Sequence, residues 1–154
     1  MRVFLFRGLF GMIFSRGMDT LAIRLRKEGH TVTIHGWGSR QRVQKKTIKL
    51  VRAGKLKGKI AIGGHSLGGN SASYMTNNLV RSNIRVFATF YWDATEPMAH
   101  AGDGHGHNFM SSDFRAEEVP GAVNHHFDNL NHVQIDKARV THDLVSRVLK
   151  GLPA

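Results

Sequence analysis

Ser66 lies in Gly64-His65-Ser66-Leu67-Gly68, a serine with glycine two residues away on each side, and Gly69 follows at once. A serine hydroxyl attacks a carbonyl only when a neighbouring base takes its proton and a third group orients that base. The spacing matches the sharp strand-to-helix turn that exposes such a serine. It would arise by chance in about one chain of this composition in ten, so the residues around it decide. Lys59 to Ile62 is β-prone immediately before it, and Leu67 to Val80 is helix-compatible after it. An acid and then a histidine follow in chain order: Asp93 after Phe90-Tyr91-Trp92, and His132 in Leu130-Asn131-His132. Asp103, Asp113, Asp128 and Asp136 are also present. Asp93 is preferred because a predicted strand fixes its backbone, whereas Asp103 and Asp113 fall in a predicted loop. Asp128 could cap a turn, and Asp136 fits the start of the last helix, where a carboxylate suits the dipole.

These residues need a scaffold that brings strand ends to one edge. Val3 to Phe6 is a short apolar run closed by Arg7-Gly8, as in a buried strand. Met18, Leu21, Ala22 and Leu25 repeat at i, i+3, i+4 and i+7, which predicts a helix ended by Gly29. Thr31 to Ile34 is β-branched throughout and predicts a second strand. Ser39 is the expected N-cap of a helix with Val43, Thr47, Leu50 and Val51 inward. Lys59 to Ile62 and Ile84 to Tyr91 are the third and fourth strands, the latter apolar on both faces as a covered parallel sheet requires. Residues 94 to 121 show no period and read as one long loop. A weaker strand from Val123 to Phe127 precedes a last helix with Val140, Leu144, Val145, Val148 and Leu149 on one side. The alternation predicts one α/β domain over residues 1 to 154, a three-layer α/β/α sandwich of about five mostly parallel strands. There is no room for a cap domain, which leaves residues 97 to 121 as the only candidate lid.

Over nearly its whole length the chain resembles a small α/β-hydrolase of the lipase and esterase type. The resemblance rests on Gly64-His65-Ser66-Leu67-Gly68-Gly69 and on the Leu130-Asn131-His132 segment before an amphipathic helix. It implies Ser66 as nucleophile, His132 as base and Asp93 as the acid that orients it. It also implies an oxyanion hole formed by the backbone N–H of Leu67 and one from Arg7-Gly8-Leu9-Phe10-Gly11, with Leu9 the first choice and Phe10 the next. The implied activity is cleavage of carboxylic esters through an acyl-enzyme, with no cofactor and no metal. A thioesterase on the same triad, or a non-catalytic module for anionic ligands or nucleic acid on the same fold, are the alternatives.

Composition narrows the chemistry further. None of the 154 residues is cysteine, which excludes disulfides, a thiolate nucleophile and Cys-ligated zinc. Lys and Arg number 22 against 11 Asp and Glu, a formal net charge of +11, and residues 29 to 92 contain no acidic residue at all. The stretch Arg40 to Lys59 lacks interleaved aromatics and reads as a solvated face that draws anionic surfaces by its field, ahead of a nucleic-acid reader. No run reaches the ~20 apolar residues of a membrane span, and no cleavage site follows the first apolar stretch, so a cytoplasmic protein is expected. Among ten histidines, His100, His105 and His107 with Asp103 form a candidate metal cluster, but their spacing is irregular and the solvated-loop reading is preferred. His125 and His126 read as strand residues, His65 as a packing or hydrogen-bonding residue of the turn, and Trp37 and Trp92 as buried beside the site.

Overall fold

In the computed structural model, which describes residues 1–9 and 16–153, every strand pairs in parallel with its neighbours. The strands are β1 (Arg2–Arg7), β2 (Thr31–Gly36), β3 (Ile60–His65), β4 (Ala88–Trp92), β5 (His105–Ser111) and β6 (Val123–Phe127). Their order across the sheet is β2-β1-β3-β4-β5-β6. The helices are α1 (Arg16–Lys27), α2 (Arg40–Arg52), α3 (Leu67–Arg81) and α4 (Arg139–Leu149).

Strand alternation sorts the core into two layers. Val3, Leu5, Ala61, Phe90 and Trp92 face one side, where Met18, Leu21 and Leu25 of α1 and Val145 and Val148 of α4 cover them. Phe4, Phe6, Ile60 and Ile62 face the other, packed on Val43 of α2 and Ala72, Met75 and Leu79 of α3. This is the expected α/β/α sandwich, with six strands where about five were expected.

The additional strand is β5, inside the segment read as one long loop. Its sequence, His-Gly-His-Asn-Phe-Met-Ser, has no β-branched residue, so local propensity did not mark it. Tertiary pairing on both sides forms it instead, together with a row of rings in which His107, His125 and Phe109 stack at centroid separations of 5.4 and 5.3 Å. The fourth strand is shorter than expected, Ala88–Trp92: Ile84 N–H still donates to the Leu79 carbonyl at the end of α3, and Phe87 makes the first bonds to the neighbouring segments, its N–H to the Ile60 carbonyl and its carbonyl to the His105 N–H. Ser39 does not cap α2 with its side chain; its hydroxyl donates to the Gly36 carbonyl at 2.7 Å. On α4, Val140 is exposed while Val145, Val148 and Leu149 are buried.

Two glycines allow α3 to begin against the sheet. A Cβ on Gly68 would lie 2.2 Å from the Phe6 carbonyl oxygen, and one on Gly64 would lie 2.0 Å from that of Gly68. Both obstacles are backbone and cannot rotate away. Gly68→Ala should therefore lower the melting temperature by about 5–10 °C, the range for ~2–3 kcal/mol of overpacking in a chain of this length. Gly36, with extended backbone and nothing within 4 Å of a built Cβ, is the control: Gly36→Ala should melt within about 2 °C of wild type.

Candidate active site

Ser66 follows β3 directly and holds φ 58° and ψ −124°, a left-handed conformation that costs a non-glycine residue about 1–3 kcal/mol. The turn is held by the Ser66 N–H donating to the Trp92 carbonyl at 2.8 Å and by Gly69 N–H donating to the Ser66 carbonyl at 2.8 Å. Leu67 is the first residue of α3, so its N–H is one of the donors that a helix leaves without an internal acceptor. Leu9 lies in the turn after β1 and is 50% exposed; Phe10 lies outside the described residues. Arg7, at the end of β1, pairs with Asp19 of α1 through Nε and Nη2.

Asp93 follows β4, has φ 45° and is fully buried. Burial of a carboxylate requires donors. Asp93 has three: Ser111 N–H to Oδ1 at 2.7 Å, the Ser111 hydroxyl to Oδ2 at 2.5 Å, and His132 Nδ1 at 2.9 Å from Oδ2. That contact places the His132 proton on Nδ1 and leaves Nε2 with its lone pair. Asp113 holds the same residue differently, accepting the His132 backbone N–H at 2.8 Å, and the Phe114 ring stacks on the imidazole at 3.6 Å. The structure thus brings Asp93 to the ring and Asp113 to the backbone. Among the described residues Ser66 Oγ makes no hydrogen bond.

The other candidates fall elsewhere. His100 uses both ring nitrogens, on the Tyr91 hydroxyl and the Gly104 carbonyl, while exposed Asp103 pairs with Arg85. The proposed cluster is therefore not assembled. Among the described residues the one metal-capable group is His65, Asp93 and His132, whose ligand atoms lie within 4.8 Å of one another but are used in the hydrogen bonds above and below. Trp92 is buried as expected; Trp37 is 42% exposed instead. Asp128 is exposed.

Asp136 is the group that sequence reasoning placed wrongly. It sits in a short turn, Ile135–Lys137, before α4 and not at its start, and is 0% exposed. Its Oδ2 accepts the Gly17 N–H at 3.0 Å, and Oδ1 has no partner. A Cβ on Gly17 would lie 1.9 Å from the Asp136 carbonyl oxygen, so α1 begins in backbone contact with the segment that carries His132. His65 Nε2 donates to the His132 carbonyl at 2.8 Å, and its Nδ1 lies 4.0 Å from Asp136 Oδ2. Burial first, and His132 second, push the His65 imidazolium down to about 4. Burial pushes the Asp136 carboxyl up to about 7, against the opposing pull of Lys137 and the Gly17 N–H. Between about pH 4 and 7 the pair is thus uncharged, a packed support under His132 and not an ion pair.

No family model matches the sequence, and no curated protein matches it. Solved structures do share the fold. A protein described as a hydrolase of the alpha/beta superfamily, from Xanthomonas campestris pv. campestris, is 16% identical with a TM-score of 0.62, over 94% of this chain and 98% of that one. The NocB thioesterase domain of the nocardicin cluster is 14% identical with a TM-score of 0.61, over 97% and 94%. Human thioesterase 2 is 12% identical with a TM-score of 0.66, over 97% and 96%. The chain thus shares the α/β-hydrolase-like fold of these structures.

The raised Asp136 carboxyl has a thermodynamic consequence. Between pH 4 and 7 the unfolded chain ionises Asp136 while the native protein keeps its proton, so the native state binds more protons and stability falls as pH rises. Asp136→Asn retains an oxygen for the Gly17 N–H and removes the titration. The melting temperature of the variant relative to wild type should rise from pH 4 to 7 by about 5–10 °C and then level. A difference that does not change with pH would show that the native carboxyl is ionised.

Proposed function

We propose that the protein is a serine hydrolase that cleaves acyl thioesters through an acyl-enzyme, with Ser66 as nucleophile, His132 as general base and acid, and Asp93 as the orienting carboxylate. The observation that carries this reading is the 2.9 Å hydrogen bond between His132 Nδ1 and buried Asp93, together with the strained strand-to-helix turn that holds Ser66. The thioesterase domains among the similar folds favour thioesters over the oxygen esters expected of a lipase-like enzyme. Ser66 Oγ attacks the carbonyl as its proton passes to His132 Nε2, and Asp93 stabilises the imidazolium. The developing oxyanion takes the Leu67 N–H at the positive end of α3, with a second donor from Leu9 or Phe10. The thiol then leaves with the proton held by His132, and water, activated by the same histidine, releases the acid. Asp113 and Phe114 restrict the imidazole so that little freedom is lost in the transition state.

No cysteine contributes a background thiol, so thiol release reports turnover directly. With the butyryl thioester of N-acetylcysteamine, Ser66→Ala should lose at least ~10³ of kcat, and Asp93→Asn about 10⁴, while both keep a cooperative melting transition. Wild-type turnover in Ser66→Ala would remove the nucleophile assignment. Cleavage of p-nitrophenyl butyrate without cleavage of the thioester would return the reading to a carboxylesterase.

A further inference from the structure

The geometry points to a reader of the acyl chain beside the nucleophile: we propose that the cleft bordering Leu67 holds the acyl part of the substrate, and that Arg40 selects acyl groups ending in a carboxylate. This rests on the hydrolase reading of Ser66.

The cleft has a volume of about 370 Å³ and is lined by Trp37, Arg40, Leu67, Tyr74 and Glu96, among others. That size is within the range of small-molecule sites. Its side of the sheet decides which part of a substrate it receives. His65 belongs to the α1 and α4 face of β3, and its ring lies 4.6 Å from that of His132. The cleft is built from α2, α3 and the turn before α2, which lie on the opposite face. His132 must protonate the departing thiol, so the leaving group lies toward α1 and α4, and the acyl chain extends the other way, into the cleft.

The walls are fixed before any ligand arrives. The Ser71 hydroxyl donates to the Trp37 carbonyl at 2.9 Å, and Asn70 Oδ1 accepts the N–H groups of Thr95 and Glu96, each at 2.9 Å. Arg40 is half-buried, with its guanidinium 5.3 Å from the centre of the Tyr74 ring, and among the described residues no carboxylate pairs with it. Its Nη1 also donates to Gln44 Oε1 at 3.4 Å, which leaves the other N–H groups of the fork for a planar carboxylate. No acidic residue occurs between residues 29 and 92, so the surrounding field is positive. Glu96, exposed on the same cleft and without an ion-pair partner among the described residues, opposes a second negative charge and favours a single carboxylate over a phosphate dianion. Trp37 and Tyr74 supply apolar faces for the methylenes between the carboxylate and the reacting carbonyl.

The test compares N-acetylcysteamine thioesters of the half-acids glutarate, adipate and suberate with those of valerate, hexanoate and octanoate. Wild type should favour the best half-acid over its neutral counterpart by about tenfold in kcat/KM, the effect of one charge-assisted contact at a partly exposed site. In Arg40→Gln that ratio should fall to about one, carried by KM; Arg40→Lys should retain part of it, and Glu96→Gln should raise it. Absence of a preference in wild type, or an unchanged ratio in Arg40→Gln, overturns the proposal. Binding is read separately in Ser66→Ala by tryptophan fluorescence, with Ser66→Ala, Trp37→Phe as the control that assigns the change to Trp37, which lines the cleft. Monomethyl suberate should change the signal in Ser66→Ala and not in the Ser66→Ala, Arg40→Gln double variant. If no thioester is cleaved but this Arg40-dependent signal persists, the hydrolase reading fails and the cleft assignment stands. Cleavage of neutral thioesters with no such signal overturns the cleft assignment alone.

Discussion

The junction of β3 with α3 has no space for a side chain at Gly64 or Gly68, two residues to either side of Ser66. Gly64 touches the Gly68 carbonyl, Gly68 touches the Phe6 carbonyl, and the helix therefore starts in backbone contact with two strands. This constraint forces the serine into its left-handed conformation and directs the first free N–H of α3 to the carboxyl edge of the sheet. The arrangement on either side depends on it. Asp93, His132 and the His65 support lie toward one helical layer, and the cleft with Arg40 lies toward the other.

The sheet edge is maintained against two costs of burial. Asp93 enters the interior with three donors, two from Ser111, a residue that exists in position only because β5 pairs with β4. Asp136 enters it with one donor and an unpartnered oxygen, and the protein meets that cost by keeping the carboxyl protonated up to about pH 7. His65 keeps its imidazole neutral down to about pH 4 for the same reason. His107, also buried and beside His125, is held down to about 4 as well. The two histidines make stability fall as pH drops from 6.5 toward 4, because the unfolded chain then binds protons that the native state refuses.

The sequence announced what local chemistry controls. The Gly64 to Gly69 pattern, the buried face of α1 and the β-branched Thr31 to Ile34 run each carry their structure in their own spacing. It was silent where tertiary pairing decides. β5 is built from histidine, glycine and asparagine and becomes a strand by having partners on both sides, so the loop expected there was wrong. Asp136 was expected at the start of the last helix, where a carboxylate suits the dipole; the fold instead buries it against Gly17, 119 residues away in sequence. Arg40 was one of many basic residues until the fold placed Tyr74 beneath it and Leu67 beside it.

The central claim is that Ser66, His132 and Asp93 act as one nucleophilic unit. It is tested most directly by mapping the adduct of a fluorophosphonate by peptide mass spectrometry, in wild type and in His132→Ala. The account requires one adduct per chain, on the peptide containing Ser66, with labelling slowed by at least ~10³ when the base is removed. Labelling of another residue, or labelling of Ser66 at the wild-type rate in His132→Ala, would contradict it.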